Sequence, residues 1–176
     1  CMPQLLREYY LAQGQKNPYI ATVHRLDKIT GGVMVFARSA AAASILSGQV
    51  RDHRFRKIYL AVVRGDPGQG GIWRDMLGRD PVRRVTYIAR EPGKDVRPAE
   101  LSYETLAVRE GLALVRVTLH TGRTHQIRVH LAYIGHPILG DTVYGAKKPV
   151  AGLTGQCLHA VGLRFIHPRT GEPVEL

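Results

Sequence analysis

The segment His24-Arg25-Leu26-Asp27, continued by Lys28-Ile29-Thr30-Gly31-Gly32-Val33, sets one carboxylate behind a basic and an apolar residue, at the edge of a glycine pair. An acidic side chain held in a tight loop beside an arginine can stay ionised and act as a nucleophile. Read alone, a loop aspartate such as Asp27 more often caps a turn. Two further segments change that balance: Arg56-Lys57-Ile58-Tyr59-Leu60-Ala61-Val62-Val63-Arg64-Gly65 and Gly122-Arg123-Thr124-His125-Gln126-Ile127-Arg128-Val129-His130-Leu131. Tyr59 lies between Ile58 and Leu60, where it either packs as strand tyrosines do or offers a ring for stacking and a hydroxyl for polar contact. Arg123 and Arg128 both fall near a helix start, where the dipole disfavours a cation unless an anion is present. That points to a partner, either a carboxylate such as Asp27 or a phosphate.

Other chemistries fit the sequence poorly. Of the eight histidines, His125 and His130 are five apart, which turns them to different sides of a helix rather than onto the four-residue spacing that chelates zinc. The two cysteines, Cys1 and Cys157, form no zinc or redox motif, so a reduced, cytoplasmic setting is expected. No serine-nucleophile elbow and no phosphate-binding Walker loop occurs. Asp141, after Leu139-Gly140, reads as a structural loop aspartate rather than as half of an acid/base pair.

These residues need a scaffold, and the pattern supplies one. Residues 3–14 read as a short helix with Leu5, Leu6, Tyr9 and Tyr10 on one side and Gly14 as its stop. Tyr19 to Val23 reads as a short strand delivering the Asp27 loop, and Val33 to Ala37 as a buried strand. Ser39 caps an alanine-rich helix reaching about Arg51. Phe55 to Val63 is a further strand, and Asp66 to Gly71 a turn. Residues 72–97 are polar and arginine-rich, fitting hairpins or a mobile loop. Leu101 to Val108 and Leu112 to Leu119 are strands joined at Glu110-Gly111. Thr124 is expected to cap a helix carrying Ile127, Leu131 and Ile134, ended by Gly135. Pro137 to Lys148 is a loop, and Leu158 to Ile166 a strand followed by a turn and one more short strand. Many strands with few crossover helices predict one α+β domain on a mixed, largely antiparallel sheet flanked by helices.

With 176 residues the chain can bury a sizeable core. No apolar run approaches the ~18–20 residues that span a bilayer, so no membrane partner is expected. Lysine and arginine outnumber aspartate and glutamate 25 to 14, a net charge of +11 that attracts polyphosphate backbones. Arg51, Arg54, Arg56, Lys57 and Arg64 are set against the single acid Asp52 between residues 51 and 64. With that charge, the ring at Tyr59 stays open to two readings, ordinary strand packing or a platform for a nucleic-acid base.

Together and in this order, the three segments resemble the signature of the RluA family of RNA pseudouridine synthases. The closing Leu158-His159-Ala160 and Phe165-Ile166-His167-Pro168, with Thr170-Gly171-Glu172, extend the resemblance to most of the chain. It implies the pseudouridine synthase fold and isomerisation of uridine in RNA, ribosomal before transfer RNA, with no metal and no organic cofactor. Asp27 would be the nucleophile that forms a covalent intermediate. Tyr59 would stack on the flipped target base and take part in proton transfer, and Arg128 would hold Asp27 by a salt bridge. Arg25 would contact the RNA backbone or occupy the space left by the flipped nucleotide, and Ile127 would line the pocket. Arg54, Arg56, Lys57, Arg123 and His125 complete the expected RNA-binding set.

Two departures stand out. Where the family shows Thr-Ser-Gly after the catalytic loop, this chain has Thr30-Gly31-Gly32; the lost hydroxyl predicts tuning rather than loss of activity. The Lys-Pro-x-Gly segment and the small S4-like RNA-binding domain that family members carry ahead of the aspartate loop do not occur in residues 1–176, which are expected to be the catalytic domain alone. A monomer is expected. Two other readings compete with the synthase: a non-catalytic RNA-binding module, which has no need of a carboxylate in a basic cleft, and a base-removing glycosidase, which wants a second positioned carboxylate.

Overall fold

The computed structural model describes residues 1–148 and 150–176 and divides into two compact units. The chain is α+β: three helices and a mixed, mostly antiparallel sheet.

One unit gathers residues 1–26, 33–56 and 162–176. Helix α1 (Met2–Ala12) begins with Pro3 in its first turn and ends before Gly14, whose φ of 83° continues no helix. Its expected apolar side is divided: Leu5 and Tyr9 are 57% and 59% exposed, while Leu6 and Tyr10 are half-buried, the Arg38 guanidinium lying 4.0 Å over the Tyr10 ring. Strand β1 (Ala21–Thr22) pairs antiparallel with β3 (Phe36–Ala37); both are two residues long, shorter than the apolar runs around them predicted. Helix α2 (Ala40–Arg51) is capped as its sequence indicates, the Ser39 hydroxyl accepting the Ala42 N–H at 3.1 Å. This unit's core is Ala37, Leu46, Phe55, Leu163 and Phe165. The rings of Phe55 and Phe165 stack at 5.2 Å, and His24 lies 5.3 Å from Phe55. His24 Nε2 accepts the Val35 N–H at 3.1 Å, which makes this first motif residue a piece of scaffold. Gln49 behaves like a strand backbone, donating to the Ile166 carbonyl and accepting its N–H, both at 2.8 Å. β10 (Pro173–Glu175) pairs antiparallel with residues 164–166 of β9 (Leu158–Ile166).

The other unit holds residues 27–32 and 57–161. Its sheet runs β9, β4 (Arg56–Arg64), β8 (Leu112–Leu119), β7 (Arg97–Arg109), β5 (Gly70–Asp80) and β6 (Val85–Ile88). Within the stretch 72–97, residues 77–88 form a short hairpin of β5 with β6, residues 70–77 of β5 pair with β7, and a loop leads from β6 to β7. β7 and β8 are joined at Glu110 and Gly111, both at positive φ (52° and 73°), the two-residue turn whose twist matches the strands. Burial alternates along β4: Lys57, Tyr59, Ala61 and Val63 face inward, opposite Leu119, Val117, Val115 and Ala113 of β8. Period-two burial of this kind forces the site residues at 57 and 59 onto one face.

Helix α3 (Gln126–Tyr133) packs Val129 on Leu77 and Ala99. Its start corrects the expectation for Thr124. The N-cap is His125, in the left-handed region at φ 56° and without a side-chain cap. Thr124 is spent elsewhere, its hydroxyl accepting from Arg79 at 3.0 Å and its carbonyl from the Thr86 hydroxyl at 2.9 Å. The turn is closed instead by Gln126, whose buried Oε1 accepts the Arg123 N–H at 3.0 Å and the Thr121 hydroxyl at 2.8 Å. No helix among the described residues is long and apolar enough to cross a membrane.

Candidate active site

The loop carrying Asp27 is held by backbone. Asp27 O accepts the Thr30 N–H at 2.9 Å, and Thr30 Oγ1, buried, accepts from Gln156 at 3.2 Å. The glycines behind it form β2 (Gly31–Gly32), which pairs parallel with His159 and Ala160 of β9. A Cβ on Gly32, whose φ is 127°, would stand 2.1 Å from the Ala160 carbonyl oxygen. At Gly31, the position where the family's serine is missing, a Cβ would meet only the His159 ring at 3.2 Å.

Asp27 Oδ2 accepts from Arg128 Nη1 at 3.2 Å, the pairing its sequence position suggested. Arg128 is not the solvated helix arginine that its place beside the apolar stripe permits: its side chain is 7% exposed. A guanidinium buried to that degree needs more than one acceptor. The second is Asp141, whose side chain is fully buried and whose Oδ2 and Oδ1 accept from Arg128 Nε (2.7 Å) and Nη2 (2.9 Å). Asp141 Oδ1 also accepts the N–H groups of Val143 (2.9 Å) and Tyr144 (3.1 Å). Burial opposes ionisation of Asp141, but the Arg128 hydrogen bond and the Tyr144 and Val143 amides outweigh it and hold its pKa below the usual carboxylate range. Burial likewise opposes the charge on Arg128 and is overcome by Asp141 first and Asp27 second. One arginine is thus shared between two carboxylates, one fully buried and one a quarter exposed.

Tyr59 belongs to the same site. Burial and, second, the charge of nearby Asp27 push its pKa up to about 12, so at neutral pH it is a phenol. It is 6% exposed, which leaves a sliver of the ring rather than an open face to solvent.

Tyr144 extends the cluster. Its ring lies 5.1 Å from the Arg128 guanidinium carbon, and its hydroxyl oxygen accepts the Thr86 N–H at 2.7 Å and lies 2.8 Å from His125 Nδ1. Burial, which outweighs the attraction of Asp27 and is reinforced by Arg128 and Arg79, lowers the pKa of His125 and keeps it neutral at pH 7. Ile127 is buried at 4% exposure beside Arg128.

The structure therefore brings Asp27, Tyr59, Arg128 and His125 within electrostatic reach of one another. Lys57 shares the face of Tyr59 and packs on Gly122, next to Arg123. Arg25, Arg54 and Arg56 belong to the other unit, where Arg25 is exposed and Arg54 lies 3.3 Å from Asp52. Two residues escaped the sequence reading. Asp141 was visible only as a loop aspartate, and nothing in its spacing reveals a buried partner thirteen residues upstream. Tyr144 carries one faint signal, its place three residues after that aspartate, as Asx-type turns favour. Among the described residues no three histidine, cysteine or acidic side chains gather as metal ligands do.

Comparison with known proteins agrees with this geometry. The sequence profile described as RNA pseudouridylate synthase matches residues 4–133. An RNA pseudouridine synthase of Chloroflexus aurantiacus is 44% identical over 158 residues, covering 90% of this chain and 48% of that protein. The ribosomal large subunit pseudouridine synthase D of Nitrosomonas europaea is 39% identical over 162 residues, covering 88% and 46%. The chain thus spans about half the length of the bacterial relatives it matches. Among solved structures, human RNA pseudouridylate synthase domain containing 1 superposes with a TM-score of 0.76 at 28% identity, covering 90% of this chain and 68% of that one. On profile, relatives and fold, the chain belongs to the RNA pseudouridylate synthase family, as a domain of the RluA type.

Proposed function

We propose that this chain isomerises uridine to pseudouridine in RNA, with Asp27 as the nucleophile. The observation that carries the reading is the shared arginine: Arg128 reaches Asp27 with one nitrogen while Asp141 fixes the other two. A carboxylate held this way keeps one rotamer against a fixed cation, as an oriented nucleophile requires. In the reaction the bond from uracil N1 to ribose C1′ breaks and one from C5 to C1′ forms. N1 gains a proton and C5 loses one, so atoms balance without an oxidant or a cofactor. Tyr59, as a phenol beside Asp27, is placed to pass a proton and to meet the target base; with its ring this well covered, a base lies against it only once a neighbour has opened. Ile127 supplies an apolar wall. Arg25, Arg54, Arg56, Lys57, Arg123 and His125 hold the RNA, whose flipped nucleotide costs a few kcal/mol of unstacking.

The names of the bacterial relatives favour large-subunit ribosomal RNA as substrate; transfer RNA is the second candidate, on the family resemblance alone. The reading includes a cytoplasmic monomer in which these residues form the catalytic domain. The test is incubation with ribosomal and transfer RNA transcripts, scoring pseudouridine by carbodiimide-dependent reverse-transcription stops, with Asp27→Asn as control. Stops at discrete uridines that vanish in the variant support the synthase. No stops, with salt-sensitive RNA binding equal in both proteins, would leave an RNA-binding module instead.

A further inference from the structure

Lys57 is 8% exposed, one of the most deeply covered charged side chains of the protein. Such residues are almost never buried without a partner. Arg128, the other buried cation on this side, has two carboxylates. Lys57 has none: no hydrogen bond or ion pair reaches its ammonium among the described residues. Yet its nitrogen is not one of the polar atoms sealed from water without a partner. The stem is buried, and the tip is not sealed. Its named neighbour is Gly122, where a Cβ would stand 2.5 Å from Lys57 Nζ. The next residue is Arg123, held by its Nε to the Pro98 carbonyl at 2.8 Å and by its own N–H to Gln126. Its charge acts unfavourably on Lys57, and with burial as the larger cause lowers the lysine pKa. A covered ammonium beside a second cation, with no acid bonded to it among the described residues, destabilises the free protein. An anion arriving from outside relieves both.

We propose that Lys57 and Arg123 form a subsite for one phosphodiester of the RNA, adjoining the nucleotide that meets Tyr59; this rests on the function proposed above. Lys57 and Tyr59 are two residues apart on one face of β4, hence about 7 Å apart along the strand, a span that one sugar–phosphate unit covers. The ammonium supplies a point charge, and the Arg123 nitrogens left free by Pro98 supply directed donors. A Cβ at position 122 would make the ammonium shift, which the flexible lysine end can do.

The test is Lys57→Met, which keeps the stem and removes the charge. RNA affinity, measured with a large-subunit ribosomal RNA transcript across a salt series, should fall roughly 10- to 100-fold at low salt, and the salt slope should drop by about one phosphate contact. The thermal midpoint of the variant should equal or exceed that of the original protein, since an unpartnered charge has been removed. In the unaltered protein, a methylphosphonate replacing the phosphate on one side of the modified uridine should weaken binding by a similar factor, and in Lys57→Met its effect should be smaller, since only Arg123 still meets that phosphate. A variant with unchanged affinity and slope overturns the subsite. So does a lowered thermal midpoint with an unchanged slope, which would make Lys57 a packing residue. If the RNA binds but no uridine is converted, the proposed function fails while the salt slope still decides the subsite.

Discussion

Asp141 holds Arg128 by two hydrogen bonds, at 2.7 and 2.9 Å, whereas Asp27 receives one at 3.2 Å. The fully buried carboxylate is the tighter partner, so it sets the position of the guanidinium, and Arg128 in turn sets that of Asp27. Geometry passes from Asp141 through Arg128 of α3 to Asp27.

Asp141→Asn keeps the shape and removes the charge, and its effect should fall on turnover. A misplaced Arg128 leaves Asp27 free to rotate, and misplacement on the scale of 1 Å costs up to roughly 100-fold in rate. Single-turnover pseudouridine formation should therefore drop about 10- to 100-fold while RNA affinity stays near that of the original protein. Asp141→Ala should also lower unfolding free energy by about 3–5 kcal/mol, because it strands a buried guanidinium. Equal loss of affinity and rate in Asp141→Asn would mean that Asp141 acts on RNA binding instead.

The charge of Asp27 is felt by Tyr59, and this can be measured without RNA. Tyr59 stands at about 12, with burial as the first cause and Asp27 as the second. Asp27→Asn removes the second cause alone. The phenol should then titrate lower, yet still above the ordinary tyrosine value of about 10, as read from absorbance near 295 nm against a Tyr59→Phe baseline. An unchanged titration would place Asp27 too far from Tyr59 for the two to share a proton path.

Much of this was legible in the sequence because it is local or periodic. Ser39 as a cap, Glu110-Gly111 as a turn and the alternation along β4 follow from rules that act over a few residues. An anionic partner for Arg128, carboxylate or phosphate, could be inferred because a cation near a helix start calls for an anion, and the family resemblance narrowed it to Asp27. Asp141 could not, since its role depends on burial, and burial comes from how the 137–148 loop folds over α3. Gly140 shows how this is arranged: its φ is 79°, and a Cβ there would lie 2.2 Å from the Gly155 carbonyl oxygen. Thr124 misled for the opposite reason. Its type favours a cap, but Arg79 and Thr86 claim its polar atoms.

Gly31 and Gly32 look alike in sequence and should behave differently when changed. A Cβ at Gly32 meets backbone at 2.1 Å in a conformation of positive φ, so neither strand can yield without breaking the β2–β9 pairing. Gly32→Ala should cost about 3 kcal/mol or more and abolish activity by releasing the Asp27 loop. At Gly31 the obstacle is the side chain of His159 at 3.2 Å, which can shift by a few tenths of an ångström. Gly31→Ser, which restores the residue type usual in the family, should stay within about 1 kcal/mol of the original stability and within severalfold of its activity. Urea unfolding and the carbodiimide assay on the two variants check the contrast; equal damage would sink it.

Stability should fall as pH drops below neutrality, and His130 should account for a measurable part of the fall. Its ring is 1% exposed, with Nδ1 2.8 Å from the Gln126 carbonyl oxygen and Nε2 3.2 Å from Asp75 Oδ2 without hydrogen-bond geometry. Burial lowers its pKa, and the Gln126 carbonyl and the Asp75 charge oppose that shift without reversing it. An unfolded histidine titrates near 6.5, so below that pH the unfolded chain takes up a proton that the folded ring refuses. The contribution of the neutral ring is complete above about pH 6.5 and is lost as pH falls from there toward the folded value, at no more than about 1.4 kcal/mol per pH unit. His125, lowered in the same direction, adds to the slope. Urea midpoints at pH 7.5, 6.5 and 5.5 should decline in the original protein and decline less steeply in His130→Gln, whatever the absolute stability of that variant. Parallel slopes in the two proteins would show that His130 protonates as readily folded as unfolded.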